Sequence, residues 1–143
     1  MEVEIRRLGP GDEDPVRRAG RLFDAAPRPE ATRRFLASPD HHLLIAYDPT
    51  GAPVGFVSGV ETTHPDKGTE MFLYELGVDE PVRRRGIGTA LVWALAALAR
   101  ERGCHGMWVG AETGNEAARR TYARAGARAV GPHVILEWSF GGS

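Results

Sequence analysis

Cysteine and lysine are almost missing from this chain. Cys104 is its only thiol and Lys67 its only lysine in 143 residues. A single cysteine excludes an internal disulfide framework and any site held by several thiolates. Net charge is missing too: 18 basic side chains against 19 acidic ones leave −1. A general nucleic-acid binder carries a clustered basic excess, which this balance argues against. The longest weakly charged stretch, Ile87 to Ala99, is too short to span a bilayer. The opening residues Met1 to Arg7 lack the apolar segment of a secretory leader, so a cytoplasmic protein is expected. The histidines at 41, 42, 64, 105 and 133 have no paired ligand spacing, so no metal site is expected.

What is present is the composition of a folded domain. At 42% hydrophobic and 26% charged residues, the chain is neither a disordered tail nor a membrane protein. A chain of this length buries roughly two-thirds of its unfolded surface, enough for a core without staples. One domain spanning residues 1–143 is expected.

Glycine and proline cut the chain into short elements. Val3–Arg6 alternates apolar and polar and reads as a strand. Asp12 is placed to cap a helix running toward Phe23, and a second helix covers Glu30 to Ala37. His42–Tyr47 and Pro53–Val60 read as a hairpin around the turn Asp48-Pro49-Thr50-Gly51. Glu61 to Thr69 reads as an exposed loop, and Glu70–Val78 is the strongest strand pattern. A long helix follows from Thr89 to Arg102, terminated by Gly103. Met107–Ala111 reads as a short buried strand. Asn115 caps a helix through Arg124 that Gly126 ends. Val134–Phe140 reads as a last strand. The order β-α-α-β-β-β-α-β-α-β predicts a mixed α/β sheet domain.

The chemistry concentrates between Val78 and Thr89. A strand ends, Pro81, Gly86 and Gly88 shape a loop, and a helix begins directly after it. Helix N-termini present unpaired N–H groups and partial positive charge. Glycines let backbone N–H groups form a concave nest around an anion. Arg83, Arg84 and Arg85 add positive charge, so the segment reads as a pyrophosphate site. It is not a Walker loop, which needs Gly-Lys-Ser/Thr, nor a dinucleotide fingerprint, whose third glycine is missing.

Arg83-Arg84-Arg85-Gly86-Ile87-Gly88 resembles the Q/R-x-x-G-x-G/A signature of the GNAT superfamily of N-acetyltransferases. Asn115, Ala118, Tyr122 and Gly126 match the family's second pattern, N-x-x-A-x-x-x-Y-x-x-x-G, although Ala127 stands where many members carry Phe. The strand around Tyr74-Glu75-Leu76 is similar to the Tyr-Asp-Leu strand of the aminoglycoside 3-N-acetyltransferases, with Glu75 in place of Asp. The resemblance implies a mostly antiparallel central sheet, splayed at the acetyl-CoA site and flanked by helices. It implies transfer of an acetyl group from acetyl-CoA to a primary amine, with the 3-amine of an aminoglycoside as first expectation. Another small amine or a peptide amine is the alternative, and a non-catalytic acyl-CoA sensor is more remote.

On this resemblance, Arg83, Arg84, Arg85, Gly86, Ile87, Gly88 and Thr89 hold the pyrophosphate. Leu76, Gly77 and Val78 take the pantetheine arm along the strand edge, with Gly77 marking a bulge. Asn115 and Ala118 contact the arm from the later helix. Glu75 is the candidate base for the acceptor ammonium, provided that it faces the cleft. Tyr122 is the candidate acid for the leaving thiolate. Glu61, Asp66, Glu70, Glu75, Glu112 and Glu137 form an expected acidic rim suited to a polycation. Arginines 17, 18, 21, 28, 33 and 34 on the N-terminal helices either suit an acidic acceptor instead or solvate a helix face. A homodimer is the family-level expectation, with the apolar segment around Trp138 and Phe140 as its surface.

Overall fold

The computed structural model describes residues 1–141. Five strands form one sheet in the order β1-β2-β3-β4-β5. They are β1 (Glu4–Arg7), β2 (His41–Tyr47), β3 (Pro53–His64), β4 (Gly68–Val78) and β5 (Met107–Trp108). Neighbours from β1 to β4 run antiparallel, and β5 joins β4 in parallel. The helices are α1 (Glu13–Arg18), α2 (Pro29–Ala37), α3 (Ile87–Glu101) and α4 (Glu116–Arg124), with 3-10 turns at Gly20–Leu22 and Glu80–Val82. The expected mixed α/β class is the observed one.

Alternation along the strands divides the core in two. One face buries Val57, Met71 and Leu73 against Ile87, Leu91 and Leu95 of α3. Those α3 residues recur at i, i+4 and i+8, which aligns them on one helical stripe. Each fully buried Leu or Ile contributes about 1.5–3 kcal/mol. The opposite face buries Leu43, Ile45 and Phe56 against Val16, Ala19 and Leu36 of the N-terminal helices. Phe23 locks onto Phe56 there, with ring centroids 4.6 Å apart.

Several expectations are corrected. The first helix stops at Arg18 and tightens into the Gly20–Leu22 turn, since a glycine interior weakens an α-helix. Asp12 does not cap it through N2 or N3; its Oδ2 accepts from Gly9 N at 2.7 Å. The segment Glu61–Thr69 is not a loop. Strands β3 and β4 continue through it to His64 and Gly68, closed by a short turn, because Thr-rich residues pair well in an exposed ladder. The strand at β5 is two residues long, and Trp108 is half exposed.

The last predicted strand does not form. Val134 to Phe140 has the alternation of a strand but finds no backbone partner among the described residues. Val134, Ile135, Leu136, Trp138 and Phe140 are 75–85% exposed. Pattern supplies two faces, but a strand also needs a neighbouring ladder.

Candidate active site

The site is built at the end of β4. Asp79 N reaches Val54 O on β3, so by alternation the backbone groups of Leu76 and Val78 point to the opposite edge. Strand β5 covers that edge only at Met71 and Phe72, leaving it open from Leu73 onward. This is the edge where Leu76 and Val78 can pair with an extended ligand.

Beyond Val78 the chain turns through Glu80–Val82 into the arginine loop. Arg83 Nε is turned back to Val78 O at 3.0 Å and closes the loop. Arg84 has φ +67°, the only non-glycine residue in the left-handed region among those described, and Gly86 follows at φ +82°. Left-handed residues spaced this way turn successive N–H groups toward one side. No side chain caps α3, so its first N–H groups are left for a ligand. Arg84 and Arg85 are exposed and make no side-chain hydrogen bond among the described residues. A Cβ on Gly88 would lie 3.3 Å from Thr121 and 3.7 Å from Val78 side-chain carbons, so the glycine sits where α3, β4 and α4 converge closely. Asn115 Oδ1 accepts from Ala118 N at 3.1 Å and fixes the start of α4 as expected. These features fit the diphosphate and extended arm of acetyl-CoA.

Glu75 lies on the other face of β4. A register shift sets Ser58 opposite Glu75 and Gly59 opposite Leu73, so Tyr74 is an extra residue. Before the shift Met71 and Leu73 face α3; after it Leu76 and Val78 do. Glu75 therefore shares the face of Gly77, toward the N-terminal helices. Gly77 is not the bulge expected of it. It is glycine because a Cβ would stand 2.6 Å from the Phe56 ring and 3.3 Å from Leu22 O. Burial, reinforced by the negative charge of Asp24, holds the Glu75 carboxyl above the usual carboxylate range. Trp108, Phe72 and Tyr74 form an aromatic row leading to it, with ring centroids 4.3 and 5.9 Å apart.

Tyr122 is half-buried and packs against the α3-side core, so Glu75 and Tyr122 sit on opposite sides of β4. Burial pushes its hydroxyl pKa up and keeps it protonated.

The family model for GNAT acetyltransferases matches residues 13–127. The chain belongs to the GNAT acetyltransferase family. A search of curated proteins finds no match. Among solved structures, this GNAT chain is similar to the aminoglycoside acetyltransferase HMB0005 from an uncultured soil metagenomic sample, at 28% identity, 97% and 100% coverage and TM-score 0.82. It is similar to the soil metagenomic aminoglycoside acetyltransferase meta-AAC0020 in complex with sisomicin, at 20% identity, 96% coverage of each chain and TM-score 0.88. It is also similar to AAC(6')-Iy in complex with the bisubstrate analog CoA-S-monomethyl-acetylneamine, at 18% identity, 98% and 100% coverage and TM-score 0.81. The enzyme is thus an acetyl-CoA-dependent N-acetyltransferase.

The expected acidic rim does not gather as one. Glu61 lies at the far end of β3, where its carboxylate meets His42 Nε2 at 2.6 Å and the Arg102 guanidinium. Asp66 pairs with His64 and Lys67 in the β3–β4 turn. Arg21 is not free for an acceptor: it spans Asp79 at 2.9 Å and Pro53 O at 3.1 Å. Asp24 and Ser58 were not legible as neighbours of Glu75, because only the folded register brings them there. No group of metal-ligating side chains is seen among the described residues, and no described helix is long and apolar enough to cross a membrane.

Proposed function

We propose that this enzyme acetylates an amine of an aminoglycoside in the cytoplasm, an activity that confers resistance to the antibiotic. One observation carries the reading: Glu75, held above the ordinary carboxylate range, stands beside the aromatic row on the acceptor face of the same strand whose end carries the phosphate loop. A polyamine on a ring scaffold has both features to use, a ring face for stacking and an ammonium for the carboxylate. The structural likeness to aminoglycoside acetyltransferases supports the same acceptor.

Acetyl-CoA supplies the acetyl group as an activated thioester. The N–H groups from Arg84 to Thr89, with Arg84 and Arg85, hold its diphosphate. Leu76 and Val78 bind its arm through the open edge, and Asn115 and Ala118 border it. An alkyl ammonium with a pKa of ~10.4 is unreactive until deprotonated. Ionised Glu75 takes that proton and leaves the nitrogen lone pair free to attack. Tyr122, protonated and on the other side of β4, gives its proton to the departing sulfur. Glu75→Gln lowers kcat by about 10²–10³-fold and Tyr122→Phe by about 10–100-fold.

The deciding experiment is a thiol-release assay with acetyl-CoA across an amine panel that includes sisomicin and neamine. Turnover of aminoglycosides with mass increments of one acetyl group supports the reading; turnover only of other small amines or peptide N-termini replaces it. Product NMR separates the 3-amine, expected from the Tyr74-Glu75-Leu76 strand, from the 6′-amine.

A second copy of this chain is the partner proposed for Val134–Phe140. That segment exposes alternating large side chains, and β5 has a neighbour on one side only. Reciprocal exchange of two such segments, with Trp and Phe each burying about 150–250 Å², approaches the roughly 800 Å² per partner of a standard interface. Sedimentation equilibrium reads it directly: a dimer that becomes monomeric when residues 130–143 are deleted is expected, and a monomeric full chain overturns it.

A further inference from the structure

Among the described residues, Ser58 Oγ is the one buried side-chain oxygen or nitrogen with no hydrogen-bond partner. Ser58 is only 7% exposed. Buried hydroxyls are ordinarily paired, and a native exception asks for a reason. The place of this one supplies it. Ser58 is directly opposite Glu75 in the β3–β4 ladder, at the register shift that Tyr74 introduces. Opposed residues of an antiparallel pair share a face, with Cβ atoms about 4.5–5.5 Å apart. A serine hydroxyl rotating about χ1 is therefore within reach of a glutamate carboxylate. The shift itself decides that Glu75 faces this way, since bulges re-aim side chains beside active sites.

We propose that Ser58 is the positioning residue for Glu75, its hydroxyl donating a hydrogen bond to the carboxylate when that group ionises to take the acceptor's proton. The inference rests on the role of Glu75 as the base. Ser58 does not touch the acceptor, because its oxygen is sealed beneath the strand surface. It is a donor held in reserve. Once the carboxylate carries charge, the donor fixes its orientation and favours the charged form. Two other influences act on the same carboxyl. Burial and Asp24, from the segment after the Gly20–Leu22 turn, both oppose ionisation. Tyr74, next along β4, is exposed. Ser58 is the group that counters the first two. A site that must bind a cation and then lose a proton to its own base needs that balance, and an unopposed buried carboxyl would remain protonated too far toward neutrality.

The test is a carbon-13 carboxyl titration of the free protein, with the Glu75 resonance assigned by its loss in Glu75→Gln. Ser58→Ala is expected to raise the Glu75 midpoint by about 1 pH unit, a tenfold change in proton affinity. Ser58→Thr, which keeps the hydroxyl, is expected to restore it. An unchanged midpoint in Ser58→Ala, or a threonine variant that titrates like the alanine one, overturns the proposal. In turnover, Ser58→Ala is expected to lower kcat about tenfold and shift the acid limb upward, with KM for acetyl-CoA unchanged. In a Glu75→Gln background it is expected to add nothing, whereas a merely structural serine would cost the same in both backgrounds. The titration needs no acceptor. Failure to acetylate any aminoglycoside would therefore remove the acceptor reading while the Ser58–Glu75 coupling was still measured.

Discussion

The two ends of α3 use the same kinds of side chain to opposite effect. At its C-terminal end Arg102 joins Asp40, Glu61 and His42 in a network where each charge is met. Arg7 Nη2 donates to His42 Nδ1 at 2.9 Å, and an arginine cannot accept. The ring is therefore neutral, with its proton on Nε2 and directed at Glu61. At the N-terminal end Arg84 and Arg85 are exposed, Arg84 is in the left-handed region, and the helix has no side-chain cap. One end spends its polar groups on holding three strands and a helix together. The other leaves them unspent for a ligand. A closed network marks stability and an incomplete one marks function.

Substitutions at the two ends should separate cleanly. The largest effect is expected from His42→Ala, which strands the Arg7 donor and takes from Glu61 one of its two partners. It should cost about 2–4 kcal/mol in denaturant unfolding, while KM for acetyl-CoA stays as it was. A comparable loss of acetyl-CoA affinity would break the comparison. At the other end, Arg84→Gly should do the reverse. It relieves a left-handed backbone and stabilises the fold by about 1 kcal/mol, yet removes a charge from the phosphate loop and raises KM for acetyl-CoA about tenfold, read from initial rates.

Acidity provides a subtler contrast. Burial above all holds the folded His42 pKa below its ordinary 6.5, against the opposing hydrogen bond to Glu61. Below pH 6.5 the unfolded chain therefore binds a proton that the folded one refuses, and stability falls as pH drops toward the folded pKa, by up to about 1.4 kcal/mol per pH unit. His42→Gln offers the same donor and acceptor without titrating, so it should flatten urea stability between pH 6.5 and 5. The smallest effect belongs to Asp24→Asn. Removing one of the two causes that raise Glu75 should move the acid limb of kcat/KM down by a few tenths of a pH unit; no movement would mean that burial alone sets it.

How much of this was readable in the chain depends on how local each feature is. The Asp48–Gly51 turn, the Asn115 cap, the glycine ends of α3 and α4 and the loop before α3 are decided by a handful of consecutive residues, and the structure has them where the chain places them. The hidden features are those that depend on register. A one-residue shift at Tyr74 turns Glu75 to the face of the N-terminal helices, and no signal within β4 announces it. His42 reads as one more strand residue until Arg7 and Glu61, far away in sequence, are brought to its two nitrogens. Gly77 looked like a bulge and is instead a clearance for the Phe56 ring.

The scarcity of thiols already removed disulfide scaffolds and sites held by several thiolates, and the near-zero net charge argues against general nucleic-acid binding. The arginine- and glycine-rich loop ahead of a helix start points to an anion site, because glycine freedom and free N–H groups are properties of consecutive residues. Tertiary structure alone decided which arginines are tied to the protein itself. It turned Arg83 onto Val78, Arg21 onto Asp79 and Arg102 onto Glu61, and left Arg84 and Arg85 exposed. It also decided that Val134–Phe140 finds no partner strand among the described residues, since a strand's pattern is local and its partner never is.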